Sequence, residues 1–173
     1  MSMLLERLQI AESFPVVDLQ TAANTGDWIS MRQYDRLLIL FASGVGTASD
    51  DPTITISQAS DNAGTGSKAL NIVTTPVQVW KKQAATSLAA VGQWSDASAG
   101  VTANAWTDLT SAEQDLLLAI EFKADQLDVD NGFDHVQASV DDIGSNAQPG
   151  VVLMILGDPS HEKGVTGMLS ALA

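Results

Sequence analysis

The chain has no cysteine, two histidines, one tyrosine and only 8 lysines and arginines among 173 residues. Without cysteine there is no disulfide framework, no thiol nucleophile and no thiolate metal site. Nucleic-acid binding needs clustered basic side chains to displace counterions from phosphates. Lys81-Lys82 is the only adjacent basic pair, so neither nucleic acid nor an anionic membrane is an expected partner. No apolar run approaches the roughly 20 residues that span a bilayer. Residues 1–14 carry Glu6, Arg7 and Glu12 inside their apolar pattern, unlike a signal peptide.

What is present is acid and apolar residues. Hydrophobic residues make up 45%, enough for a globular core, and 21 acids set the formal net charge at −13. The length fits a single domain over residues 1–173. The acidity is lopsided. Residues 1–95 hold 8 acids and 6 bases, whereas residues 96–173 hold 13 acids and 2 bases. Such a surface favours solubility and colloidal repulsion over calcium binding or a basic partner.

Leu4, Leu5, Leu8 and Ala11 recur at helical spacing, with Ser2 as an N-cap, so residues 1–14 read as a short amphipathic arm ended by Pro15. The grammar then changes to strands. Residues 36–43 form a continuous apolar run, the pattern of a strand covered on both faces. Residues 53–58 alternate strictly, placing Ile54 and Ile56 on one face and Thr53, Thr55 and Ser57 on the other. Residues 77–80, 116–123 and 134–140 also read as strands, and 151–156 is the most apolar run, a central strand. Residues 83–112 are small and polar and read as a long connection, with a capping box at Thr110 to Glu113. Residues 163–173 form a tail in which Met168, Leu169 and Leu172 make a last helical turn. Eight or nine strands with turns between them predict a mainly β fold: an antiparallel β-sandwich or jelly-roll-like barrel with short terminal helices.

The chemical motifs fall short of their requirements. Gly64-Thr65-Gly66-Ser67-Lys68-Ala69 follows a strand, but poor helix formers ending in Pro76 follow it, so no helix N-terminus receives a phosphate. Asp125, Asp128, Asp130, Asn131 and Asp134 form the densest set of oxygen ligands and are the candidate calcium site. An EF-hand needs glycine at its sixth position. Counting back from Gly132 puts Leu127 at position one, which leaves an irregular site or a plain acidic turn. His135 and His161 are too few for a zinc site without cysteine. No G-x-S-x-G elbow sets up a serine nucleophile. With 21 acids some carboxylate pair falls at any chosen distance, so glycosidase spacing has little weight. No catalytic residue and no other cofactor is expected.

Trp28 and Trp80 lie in strand patterns and are expected in the core or at an interface. Trp94 and Trp106 lie in the polar connection. They pin it to the body, touch a neighbouring subunit, or stack on a sugar.

Several stretches resemble a family of small proteins encoded among the structural genes of tailed bacteriophages and prophages. They are Thr25-Gly26-Asp27-Trp28-Ile29-Ser30-Met31 with Tyr34-Asp35-Arg36, residues 55–70, Leu127-Asp128-Val129-Asp130-Asn131-Gly132-Phe133, and Gly157-Asp158-Pro159. The resemblance spans most of the chain and contains no catalytic signature. It implies a non-enzymatic virion protein, a decoration or cement protein on the outer capsid surface, assembled in the host cytoplasm. Its partners would be the major capsid protein and copies of itself, with a trimer expected from lattice symmetry. The interface candidates are then Leu4, Leu5, Leu8, Trp94, Trp106, Met168, Leu169 and Leu172. The alternative is a carbohydrate-binding or tail adhesion module on the virion surface, with Trp94 and Trp106 as platforms.

Overall fold

The computed structural model describes residues 4–74, 77–84, 93–110, 114–144, 146–160 and 171–172. Its strands are β1 (Leu8–Asp18), β2 (Asn24–Thr25), β3 (Ile29–Ser30), β4 (Tyr34–Ser43), β5 (Thr53–Ala59), β6 (Lys68–Ala69) and β7 (Gln78–Ala84). They continue with β8 (Ser95–Asp96), β9 (Val101–Thr102), β10 (Ala105–Thr107), β11 (Asp115–Lys123), β12 (His135–Val140) and β13 (Pro149–Pro159). Short 3-10 turns are the only helices among the described residues.

The strands form two antiparallel sheets packed as a β-sandwich. The six-stranded sheet runs β1-β13-β4-β11-β7-β8, and the second runs β2-β12-β5-β10-β9, with β3 beside β12 and β6 beside β5. Alternation explains the core. On β4, Leu37, Ile39 and Phe41 point inward, opposite Phe122, Ile120 and Leu118 of β11 and level with Leu156, Met154 and Val152 of β13. They meet Ile54, Ile56, Val136, Ala138 and Val140 from the second sheet, all fully buried. Each such side chain contributes about 1.5–3 kcal/mol.

Residues 8–14 are strand, which corrects the helical arm. Only Leu4–Glu6 makes a 3-10 turn; Leu8 to Asp18 pairs with β13 from Leu8↔Gly157 to Asp18↔Pro149. Register shifts between Glu12 and Phe14, and again before Val17, reset which face each residue takes. Those bulges erase the period-two signal and leave a chance helical spacing. Pro15 does not end the element. It sits in the bulged stretch of an edge strand, where its missing N–H is tolerated.

The connection at 83–112 also carries more structure than its composition suggests. β10 inserts Trp106 opposite Ile54, and the ring is 1% exposed. Its indole N–H donates to the Ala97 carbonyl at 2.9 Å. The strands read at 116–123 and 151–156 lie within the longer β11 and β13, and the one read at 134–140 is β12, which begins one residue later. The capping-box residues 111–113, His161 and the last-turn residues Met168 and Leu169 lie outside the described residues.

Candidate functional site

The acidic turn is built around its own partners. Gln58 Oε1 accepts from the Asp128 backbone N–H at 2.9 Å, and Gly132 takes the left-handed conformation that closes the turn. The Asp128 carboxylate receives Lys68 Nζ, and Asn131 Nδ2 donates to it at 2.8 Å. Lys68 Nζ also lies 4.1 Å from the Phe133 ring centroid. Asp134 is met by Arg32 Nε at 2.5 Å and by His135 Nδ1 at 2.5 Å. Asp125 and Asp130 are exposed. Side-chain cations thus hold the two inner carboxylates. Among the described residues, no group of three or more His, Cys, Asp or Glu is placed to hold a metal ion. His135 is 2% exposed, and its Nε2 has no hydrogen-bond partner among the described residues.

These pairings set a pH dependence. Lys68, and then Asn131, holds the Asp128 carboxyl below its ordinary value of 3.8. The Thr65 hydroxyl, then its backbone N–H, does the same for Asp61, and the Ser98 backbone N–H for Asp96. Groups with depressed values stabilise the fold above the ordinary carboxylate range, and that contribution is lost as pH falls through the depressed values. Asp51 is opposite in sign. Burial, then the charges of Asp108 and Asp50, raise it. Its contribution is present in acid and lost as pH rises through the raised value. Asp51→Asn is therefore expected to raise the melting temperature at neutral pH and to leave it unchanged in strong acid. Thermal melts at the two pH values measure this.

The terminal candidates lie apart. Leu4 and Leu5 are 72% and 53% exposed on the first turn, whereas Leu8 packs in β1 beside Gly157. Leu172 is exposed, and its carbonyl accepts from Asn62 at 3.3 Å. Trp106 is core, which removes it as an interface or sugar residue: its place opposite Ile54 in the second sheet turns the ring inward. Trp94 is 42% exposed, with Lys82 Nζ 4.8 Å from its ring centroid. Trp80 is not in the core, because the register opposite Ala119 turns it outward, where it is 40% exposed.

Trp80 and Trp94 belong to a larger feature. The outward residues of the six-stranded sheet are apolar across its centre, with charged and polar residues at its margins. One row crosses Ile10, Ile155 and Leu38 and ends on Glu121 and Gln78; the next runs from Glu12 through Leu153, Leu40, Ala119 and Trp80 to Asp96; the third crosses Val151, Ala42 and Leu117 and ends on Lys82. The second sheet supplies the contrast: its outward face carries Thr53, Thr55, Ser57, Gln137, Ser139 and Thr107. Leu38, Leu40, Val151, Leu153 and Ile155 are only partly covered. Beside them a groove of about 350 Å³ is lined by Leu38, Trp80, Trp94, Ala119 and Glu121. An apolar face of this kind marks an interaction surface. Its signal was present in residues 36–43 and 151–156, whose unbroken apolar runs require cover on both sides. Among the described residues, the fold covers one.

No protein-family model, curated protein or solved structure matches the chain. The phage resemblance rests on the quoted sequence phrases. Among the described residues, no helix is long and apolar enough to cross a membrane.

Proposed function

We propose that the chain is a non-enzymatic structural protein of a phage particle, a decoration or cement protein that acts by adhesion. The apolar outer face of the six-stranded sheet is the observation that supports this reading. Such a face lowers the free energy of an assembly by being removed from water, at about 25 cal/mol per Å², and makes disassembly costlier by mass action. The polar Thr, Ser and Gln face of the other sheet, with the net charge of −13, would point to solvent on the capsid exterior. The partners in this reading are the major capsid protein and copies of the chain. Mass spectrometry of purified particles from the cell that encodes the chain tests it. The chain is expected at a copy number comparable with the capsid subunits, and its absence from the particles would end the reading.

The Trp80–Trp94 groove favours a second reading, a carbohydrate-binding or adhesion module. Paired exposed indoles form stacking platforms, and Glu121 and Gln78 supply polar groups at the rim. On a glycan array this reading predicts binding that is lost with Trp80→Ala or Trp94→Ala. An array without hits rejects it.

A further inference from the structure

We propose that a small pocket at one end of the sandwich, between Ser43, Asp51 and Gln148, binds a single hard divalent cation of the calcium class.

The pocket lies where strands of both sheets end. Ser43 closes β4 and Gln148 leads into β13 of the six-stranded sheet, while Asp51 leads into β5 and Asp108 follows β10 of the second. Its free volume is about 10 Å³, about the room that one water-sized occupant takes. No organic ligand fits there.

Two buried oxygens in the lining call for an occupant. Gln148 is 4% exposed and Ser43 6%. Neither Gln148 Oε1 nor Ser43 Oγ meets a hydrogen-bond partner among the described residues. Buried polar atoms are costly to leave unmatched. The Gln148 amide cannot simply turn over: its Nε2 donates to the Gly44 carbonyl at 2.9 Å, and the reversed amide would set two carbonyl oxygens against each other. Gly46 leaves space for Oε1, since a Cβ there would stand 2.6 Å from it.

Charge decides the kind of occupant. Burial and the like charges of Asp108 and Asp50 bear on Asp51, and no hydrogen bond or ion pair meets its carboxylate among the described residues. Asp108 is already answered: Gln83 Nε2 and the Thr110 backbone N–H donate to it, and Lys81 Nζ lies 3.5 Å away. Among the described residues that line the pocket, none is lysine or arginine. A water would satisfy the oxygens and leave the negative charge; an anion would be repelled. A cation answers both. Calcium takes oxygen ligands at about 2.3–2.6 Å, carboxylate and amide carbonyl among them, and fills the remaining positions with water. No three carboxylates converge among the described residues, so Asp51 would supply the charge, and Gln148 Oε1 and Ser43 Oγ the neutral oxygens. The bound ion would tie the β4–β13 end of one sheet to the β5–β10 end of the other.

Isothermal titration of calcium chloride into the chelator-treated full chain tests this, with thermal melts in parallel. One site per chain is expected, with a dissociation constant of about 0.1–1 mM for so few charged ligands. The melting temperature should rise with calcium. Asp51→Asn keeps the shape of the side chain and is expected to weaken binding about 10-fold or more. Its stability advantage at neutral pH, argued above for the metal-free chain, should shrink as calcium is added. Ser43→Ala removes an unmatched oxygen; it should weaken binding severalfold without lowering the calcium-free melt, so it carries the test if Asp51→Asn does not fold. Asp125→Asn with Asp130→Asn, on the acidic turn, should leave binding unchanged. Neither heat nor a shift in melting at millimolar calcium would mean that the pocket holds a water only, and would overturn the proposal. So would an equal shift with sodium chloride at matched ionic strength, binding indifferent to both Asp51→Asn and Ser43→Ala, or binding lost with the acidic-turn pair.

Discussion

Trp106→Ala is expected to cost the fold about 3–5 kcal/mol, the range for removing a large buried aromatic side chain. Trp106 is the largest of the fully buried side chains. It lies on β10, a strand of three residues that joins β9 to β5. Its indole N–H is the link to the Ala97 carbonyl at 2.9 Å, so truncation removes apolar contact and a buried hydrogen bond together. Trp106→Phe keeps much of the volume and removes one of the two donors to the Ala97 carbonyl, which retains the Gly100 N–H at 3.1 Å, so its expected cost is smaller, about 0.5–1.5 kcal/mol. Urea unfolding followed by circular dichroism measures both. A loss below about 1 kcal/mol for Trp106→Ala would mean that the 95–107 segment is not anchored by this ring.

Gly100→Ala is expected to cost about 1–3 kcal/mol, the usual penalty for overpacking. A Cβ at Gly100 would stand 2.4 Å from the Thr107 carbonyl oxygen and 2.6 Å from Trp106 Nε1. The first is backbone, in the residue that pairs with Thr53 of β5, and cannot swing aside as a flexible side chain could. The second is the same indole that anchors the segment. The two substitutions therefore share a partner and should not add. In the Trp106→Ala background the indole clash is gone and the Thr107 clash remains, so the cost of Gly100→Ala should shrink without vanishing. Full additivity of the two unfolding free energies would show that the turn at Ser98–Gly100 does not rest on Trp106.

The fold was legible where alternation was uninterrupted. Residues 53–58 display both of their faces in the sequence, and β5 lies in the second sheet with Ile54 and Ile56 inward and the threonines outward. The same holds for Ile120 and Phe122 against Glu121 and Lys123 on β11. The first part of β1, residues 8–14, was not legible, because its bulges near Glu12 and Phe14 shift the face mid-strand and leave leucines at helix-like intervals, whereas the β-branched pair Val16-Val17 marks its end as strand. β8, β9 and β10 are too short, at two or three residues, to show any period, and only the lone Trp106 marked them. The candidate site was half legible. Apolar runs at 36–43 and 151–156 announce two covered faces, but the sequence order cannot say that β13 and β4 lie side by side in the same sheet. That adjacency, formed by residues more than a hundred positions apart, turns separate apolar strands into one continuous patch. The acidic turn was visible as a cluster, whereas Lys68 and Arg32, distant in sequence, decide that two of its carboxylates, Asp128 and Asp134, are already paired.

The central claim is that the outer face of the six-stranded sheet is an assembly surface. Hydroxyl-radical footprinting tests it most directly, comparing the chain at high dilution with the chain in its assembled form, copies or purified particles. Protection is expected to concentrate on Leu38, Leu40, Leu153, Ile155 and Trp80, which all lie on that face. The Thr53, Thr55 and Gln137 side of the second sheet should react equally in both states. Equal reactivity of the apolar face in the dilute and assembled forms, or protection of the polar sheet instead, would contradict the claim.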